Sequence, residues 1–285
     1  MEQTILRFFE NLRSPALTFF AGAFSLFGET LVLVALISVV YWLVDKQFGE
    51  RLVLVSFSSM SANAFLKGIV ARPRPYASGA ATRVEIDTPF LSTMNLEPDM
   101  SFPSGHSQMS AGLFFSAAFR LKKGWAWIVA PVLTLLVMLS RLYLGVHYPT
   151  DVLAGAALGV AFACIWEIVY RKFPKQKTVF AATFAALSLV LLLLEPNKQL
   201  AELSACMCAA AAAIPLENKF VRFEVTKGLK RKLLRLLVGF ACVGAVFGIF
   251  ALLPWEYLWL KWLKYFLLIF AAALLAPFLF VKLKI

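Results

Sequence analysis

The sequence predicts an all-α polytopic membrane protein: a helical bundle with about nine transmembrane helices, built as one membrane domain. Apolar residues make up 61% of the 285-residue chain and charged residues 15%, with mean hydropathy +0.78. That lies well outside the balance of a soluble domain. The apolar residues also fall into runs close to the ~20 residues that a helix needs to cross the hydrocarbon core. The charges gather between those runs. A net charge of +12 would suggest nucleic acid for a soluble protein. Here it fits the basic bias of cytoplasmic loops, and no nucleic-acid partner is expected.

Residues 3–26 are apolar but interrupted by Glu10, Arg13 and Pro15. They read as an N-terminal segment (1–28) lying in the membrane interface, with a first span as the alternative. No basic tip precedes a short apolar run, so no cleavable signal is expected. Spans then follow at 29–45, 51–70, 104–120, 124–143, 149–171, 178–194, 199–215, 232–253 and 258–281. The stretch 199–215 is short and alanine-rich, the weakest of the nine. Gly155 with Gly159, and Gly244 with Gly248, have the small-xxx-small spacing that lets helices approach closely. Packing within the protomer is the default reading, and a homo-oligomer face is the alternative. The four cysteines, Cys164, Cys206, Cys208 and Cys242, all lie in apolar spans and read as buried hydrophobes rather than metal ligands.

Alternation of the spans divides the connections between two sides. Of the 28 Lys and Arg residues, 18 lie with the connections at 45–51, 120–124, 171–177, 217–235 and 282–284. The positive-inside rule places that side in the cytoplasm and the other toward periplasm, exterior or lumen. The basic cluster at 230–235 reads as a topology anchor; anionic-lipid binding is the alternative.

The outer side carries three motifs, each at a span end. The first contains Lys67, Arg72, Arg74 and Pro75; the second is Pro103-Ser104-Gly105-His106; the third contains Ser140, Arg141, His147 and Asp151. The only two histidines of the chain fall in these motifs. Ionisable residues at span ends with matching partners are functional candidates. Arginine offers a planar fork to two phosphoryl oxygens, and lysine a compact point charge. Arg72 either shares this work or is solvated. Ser104 and Gly105 open a helix whose free amides suit an anion, and glycine lets an oxygen approach the backbone. His147 and Asp151 share a helix face if both are helical, although Pro149 suggests that the helix starts at 148 or 149. Asp151 would then fix the His147 tautomer and leave the other ring nitrogen to attack.

The pattern Lys67-x6-Arg74-Pro75, Pro103-Ser104-Gly105-His106 and Ser140-Arg141-x5-His147-x3-Asp151 resembles the type 2 phosphatidic acid phosphatase superfamily. That superfamily also includes glucose-6-phosphatase and vanadium haloperoxidases. The resemblance covers roughly residues 50–171, implying a phosphatase core at 29–171 and a transmembrane extension at 172–285. It implies that His147 is the nucleophile forming a phosphohistidine, that Asp151 orients it, and that His106 protonates the leaving oxygen. It implies that Lys67, Arg74, Ser104, Gly105 and Arg141 hold the phosphoryl group, with no metal and no cofactor. The expected substrate is a lipid phosphate or diphosphate in the membrane: polyprenyl diphosphate, phosphatidylglycerol phosphate, phosphatidic acid or sphingoid phosphate. Alternatives are a soluble sugar phosphate, transfer to a second lipid, or non-catalytic binding or transport. Residues 76–102, polar and mixed in charge, either cover the site or form a plain connection.

Overall fold

The computed structural model describes residues 1–84, 100–253 and 257–285; the middle of the 76–102 connection, residues 85–99, lies outside them. Twelve α-helices are described: α1 (Glu2–Asn11), α2 (Pro15–Ser25), α3 (Thr30–Val39), α4 (Lys46–Val70), α5 (Gly105–Leu121), α6 (Gly124–Tyr143), α7 (Pro149–Lys172), α8 (Lys177–Leu194), α9 (Lys198–Leu216), α10 (Leu229–Ala251), α11 (Leu258–Phe270) and α12 (Ala276–Lys282). No strand occurs among the described residues. Among the described residues, seven helical stretches are long and apolar enough to cross a membrane, and the protein is an integral membrane protein. An eighth span arises if Pro15–Gly28 and Val32–Val44, bent by 54° at their junction, count as one. The remaining expected span, 104–120, is α5, a helix of 17 residues. At 1.5 Å per residue it is about 26 Å long, just short of a full crossing.

Helix boundaries follow local chemistry. Ser14 caps α2 by accepting from Leu17 N, and Pro15 occupies its first turn, where a missing N–H costs nothing. The run that reads as interfacial is therefore two helices, of which the second continues into the bent pair. Ser104 caps α5, and Lys122 ends it in the left-handed region at φ 54°. Gly145, at φ 71°, turns the chain between α6 and α7; a Cβ there would lie 2.2 Å from Thr82 O, so only glycine fits.

The chain divides into two compact units, Met1–Val34 with Ala62–Glu167, and Ala35–Ser61 with Ile168–Ile285. In the first, α6 packs against α1, α2 and α5. Helix α7 meets α5 through glycines: a Cβ on Gly155 would stand 2.3 Å from Ser104 O, and one on Gly159 2.2 Å from Gln108 O. This small-xxx-small pair thus packs within the protomer. Around Gly244 and Gly248 nothing lies within 4 Å of a Cβ, so the second pair makes no close approach. Helix α1 is docked, not loose: Leu6 is buried with Ala81, Leu142, Tyr148 and Val152. Glu10 Oε1 accepts from Thr82 N at 2.5 Å and from Thr82 Oγ1 at 2.7 Å.

In the second unit, α9 packs against α8 and α11. A core forms from Tyr41, Trp42, Leu43, Phe223, Ala276 and Phe280. Arg235, expected in a basic anchor, is instead buried and donates to Trp42 O, Glu224 O and Ile285 O. Lys46 pairs with the buried Glu217, and Glu50 accepts from Lys177 at 3.0 Å and from Asn218 at 2.8 Å. These partners offset the cost of burying charge.

Candidate active site

All eight residues expected from the motifs lie in the first unit. Lys67, Arg74, Ser104, Arg141, His147 and Asp151 are buried there, while Gly105 and His106 are half-buried. The last turn of α4 delivers Lys67, whose Nζ donates to Met100 O at 2.5 Å. Ala71 leaves the helix at φ 47°, and Pro73 and Pro75 hold the backbone on either side of Arg74. Arg74 Nη1 donates to Val146 O at 2.9 Å and stands 3.3 Å from His147 Nε2. The first and third motifs therefore meet through Arg74.

The second motif is held by both neighbours. Ser101 N donates to Arg72 O at 2.8 Å, and Ser104 N to Asp151 O at 3.0 Å. Ser104 Oγ accepts from Ser107 N at 3.4 Å and from Ser107 Oγ at 3.1 Å, so it serves the helix cap in this structure. Asn63 ties α4 to α5 by donating to Pro103 O and to Gln108 Oε1. The opening turn of α5 is thus fixed with its amide end toward the third motif, where an anion is favoured.

In the third motif α7 begins at Pro149, so His147 lies before the helix and a shared helical face does not explain the pairing. Asp151 instead folds back over the first turn: Oδ2 accepts from Tyr148 N at 2.8 Å and lies 3.6 Å from His147 Nδ1. That contact is longer than a hydrogen bond, yet Nδ1 has no other hydrogen-bond partner among the described residues. Arg141 reaches down from α6 and donates to Ser25 Oγ at 2.8 Å. Burial, with the charges of Arg74, Arg141 and Lys67, holds the His147 pKa well below its ordinary value. Both effects favour the neutral ring.

Two further residues meet these motifs. Arg72, which the sequence leaves open, is paired with side chains of the protein. It donates to Asp151 Oδ1 at 2.9 Å, Thr150 Oγ1 at 2.7 Å and Glu2 Oε2 at 2.6 Å, and it stacks 3.7 Å from the Tyr148 ring centre. Partial burial raises the Glu2 pKa, but hydrogen bonds from Thr150 and Arg72 outweigh it and leave the carboxyl below its ordinary value. The other is Glu29, whose Oε2 lies 3.3 Å from His106 Nε2. The sequence signal for Glu29 was present: it is the only charged residue between Arg13 and Asp45.

Residues 49–178 match the PAP2 superfamily, a stretch that takes in all three motifs. The chain belongs to the PAP2 superfamily. Residues 201–285 match a second PAP2 superfamily description, the phosphatase transmembrane extension, which takes in α10, α11, α12 and nearly all of α9. Among PAP2-like relatives, the lipid A 4'-phosphatase of Bacteroides thetaiotaomicron is 29% identical over 168 residues, 56% of this chain and 72% of that protein. Phosphatidylglycerophosphatase B of Bacillus subtilis is 38% identical over 86 residues, 27% of this chain and 42% of its own length. The chain thus spans less than half of that second relative. A crystal structure of a transmembrane PAP2-type phosphatidylglycerolphosphate phosphatase from Bacillus subtilis superposes with TM-score 0.49 at 27% identity, over 60% of this chain and 85% of that one.

Proposed function

We propose that this PAP2 superfamily phosphatase removes a phosphoryl group from a lipid phosphate or diphosphate, without a metal, through a phosphohistidine on His147. The observation that carries this reading is the orientation of His147. Its Nδ1 faces the Asp151 carboxylate, while its Nε2 faces the cation Arg74 at 3.3 Å. One nitrogen lies toward the carboxylate and the other points where phosphoryl oxygens would sit.

In this reading Lys67, Arg74 and Arg141 supply the positive charge that a metal supplies elsewhere. The Gly105 amide and the Ser104 hydroxyl at the start of α5 complete the clamp. His147 Nε2 attacks phosphorus as the bond to the leaving oxygen breaks, and His106 gives that oxygen its proton. Water then attacks the phosphohistidine, returns a proton to His106 and releases phosphate. Asp151 holds His147 throughout, and Arg72 keeps Asp151 in place.

The lipid substrate rests on the membrane setting and on relatives named for lipid A and phosphatidylglycerophosphate. Placement at the outer leaflet rests on the 18 basic residues opposite the motifs. The decisive experiment is a brief reaction with lipid labelled in its phosphate, quenched in alkali, where phosphohistidine survives. Label is expected on the parent protein and absent from His147→Ala. Turnover by His147→Ala near the parent rate would overturn the reading. A phosphate-release panel over the four lipid classes and glucose 6-phosphate identifies the substrate; preference for the sugar would displace the lipid.

A further inference from the structure

We propose that Glu29 is a positioning residue for His106, holding the protonated imidazole that delivers the leaving-group proton; this rests on the reading of His106 as the acid. Glu29 Oε2 lies 3.3 Å from His106 Nε2. The carboxylate comes from a long apolar run, residues 14–44, where no other charge occurs. An isolated charge in such a run is costly unless it has a partner.

The backbone shows how Glu29 is aimed. A short 3₁₀ turn, Leu26–Gly28, ends at Glu29, whose backbone is extended at φ −79° and ψ 128°. Glu29 O then accepts from Leu33 N at 3.0 Å to start the next helix. Gly28 is pressed onto His106: a Cβ there would lie 2.6 Å from His106 Cβ and 2.7 Å from its Cα and Cδ2. The main chain thus lies against His106 and brings the carboxylate to 3.3 Å from Nε2. This leaves Nδ1 as the nitrogen for the leaving oxygen.

The surroundings give this carboxylate a task. Arg141 on α6 and Arg74 after α4 place positive charge near His106, and Arg141 also faces Glu29. A third positive charge, on His106, needs an anion beside it when phosphate is not there to supply one. Asp151 is committed to His147, Tyr148 N and Arg72. Each histidine therefore has its own carboxylate, Asp151 for the nucleophile and Glu29 for the acid. In the step itself, the P–O electron pair goes to the leaving oxygen, which takes the His106 proton. Glu29 remains ionised, and water returns a proton to neutral His106 when the phosphohistidine is hydrolysed.

The test compares leaving groups. An alkyl lipid phosphate departs as an alkoxide that needs a proton, whereas p-nitrophenyl phosphate departs as a stable phenolate that does not. Glu29→Gln is expected to lower kcat/KM on the lipid, which reports the steps up to leaving-group departure, by about 10-fold or more, while kcat/KM on the aryl phosphate stays within about twofold. Glu29→Asp, one methylene shorter, is expected to give a smaller loss with the same selectivity, and serves if the amide variant does not fold. His106→Ala is the reference and must show the selective loss itself. Equal losses on both substrates for the Glu29 variants, or no loss, with His106→Ala still selective, would overturn the role of Glu29 alone. A non-selective His106→Ala would overturn the acid reading, and this inference with it.

Discussion

Replacing Gly155 by alanine tests how closely the second and third motifs are registered. The added Cβ would lie 2.3 Å from Ser104 O, where ordinary contact begins at 3.4 Å, so α5 and α7 must part by about 1 Å. The Ser104 N bond to Asp151 O, now 3.0 Å, would stretch to about 4 Å and be lost. Overpacking costs about 1–3 kcal/mol, and the orphaned backbone groups cost about 1–3 kcal/mol more. A displacement of ~1 Å at reacting groups lowers rate by about 100-fold. Gly244→Ala is the matched control, because nothing lies within 4 Å of its Cβ. There a helix-interior glycine gains about 0.5–1 kcal/mol on becoming alanine. The assay is initial phosphate release in detergent micelles beside a thermal melt of each variant. Gly155→Ala retaining more than half of the parent kcat with an unchanged melt would show that the two motifs are not held by this contact.

Asp151→Asn is expected to lower kcat by several orders of magnitude, read by phosphate release; a loss below about tenfold would reduce Asp151 to a helix cap. Vanadate should inhibit and chelators should not, since a trigonal-bipyramidal oxyanion fits a clamp of cations and amides; activity lost to chelation and restored by magnesium would contradict this. In NMR of histidine-labelled protein, with His106→Ala for assignment, His147 should remain neutral through pH 6.5. Because its folded pKa is depressed, its linked stability is fully present above about pH 6.5 and lost as pH falls from there; a His147 titration at or above 6.5 would refute the assigned surroundings. On a cysteine-free background, Ala77→Cys should react with an impermeant thiol reagent in intact cells, and Lys175→Cys only after permeabilisation; the reverse pattern would move the chemistry to the cytoplasm.

The membrane class, most spans and the convergence of the motif residues were legible because each depends on local composition or on short spacing. The starts of α5 and α7 could be read from Ser104 and Pro149. What was illegible depends on contacts far apart in sequence. The sequence left Arg72 open between phosphate cation and solvated charge, because Glu2 and Asp151, which lie on either side of it, are far away in the chain. Glu29 is visible as the lone charge of its run, but nothing local indicates that residue 106 lies beside it. Arg235 looked like a surface anchor because a basic cluster does not reveal which member turns inward. Span counting blurred at α5, whose serines, glutamine and histidine serve the motif end rather than lipid.

The docking of α1 bears on how the protein is made. Glu2 on Arg72 and Thr150, Glu10 on Thr82 and Leu6 against Tyr148 join the earliest residues to a site whose last member is Asp151. Chains emerge N-terminus first at about 5–20 residues per second. Every group that holds the two histidines is thus synthesised before α8 begins at Lys177. The ribosome still has to deliver the C-terminal extension, about five seconds or more of further synthesis. Insertion can therefore assemble the first unit, α1 included, before the later spans are made.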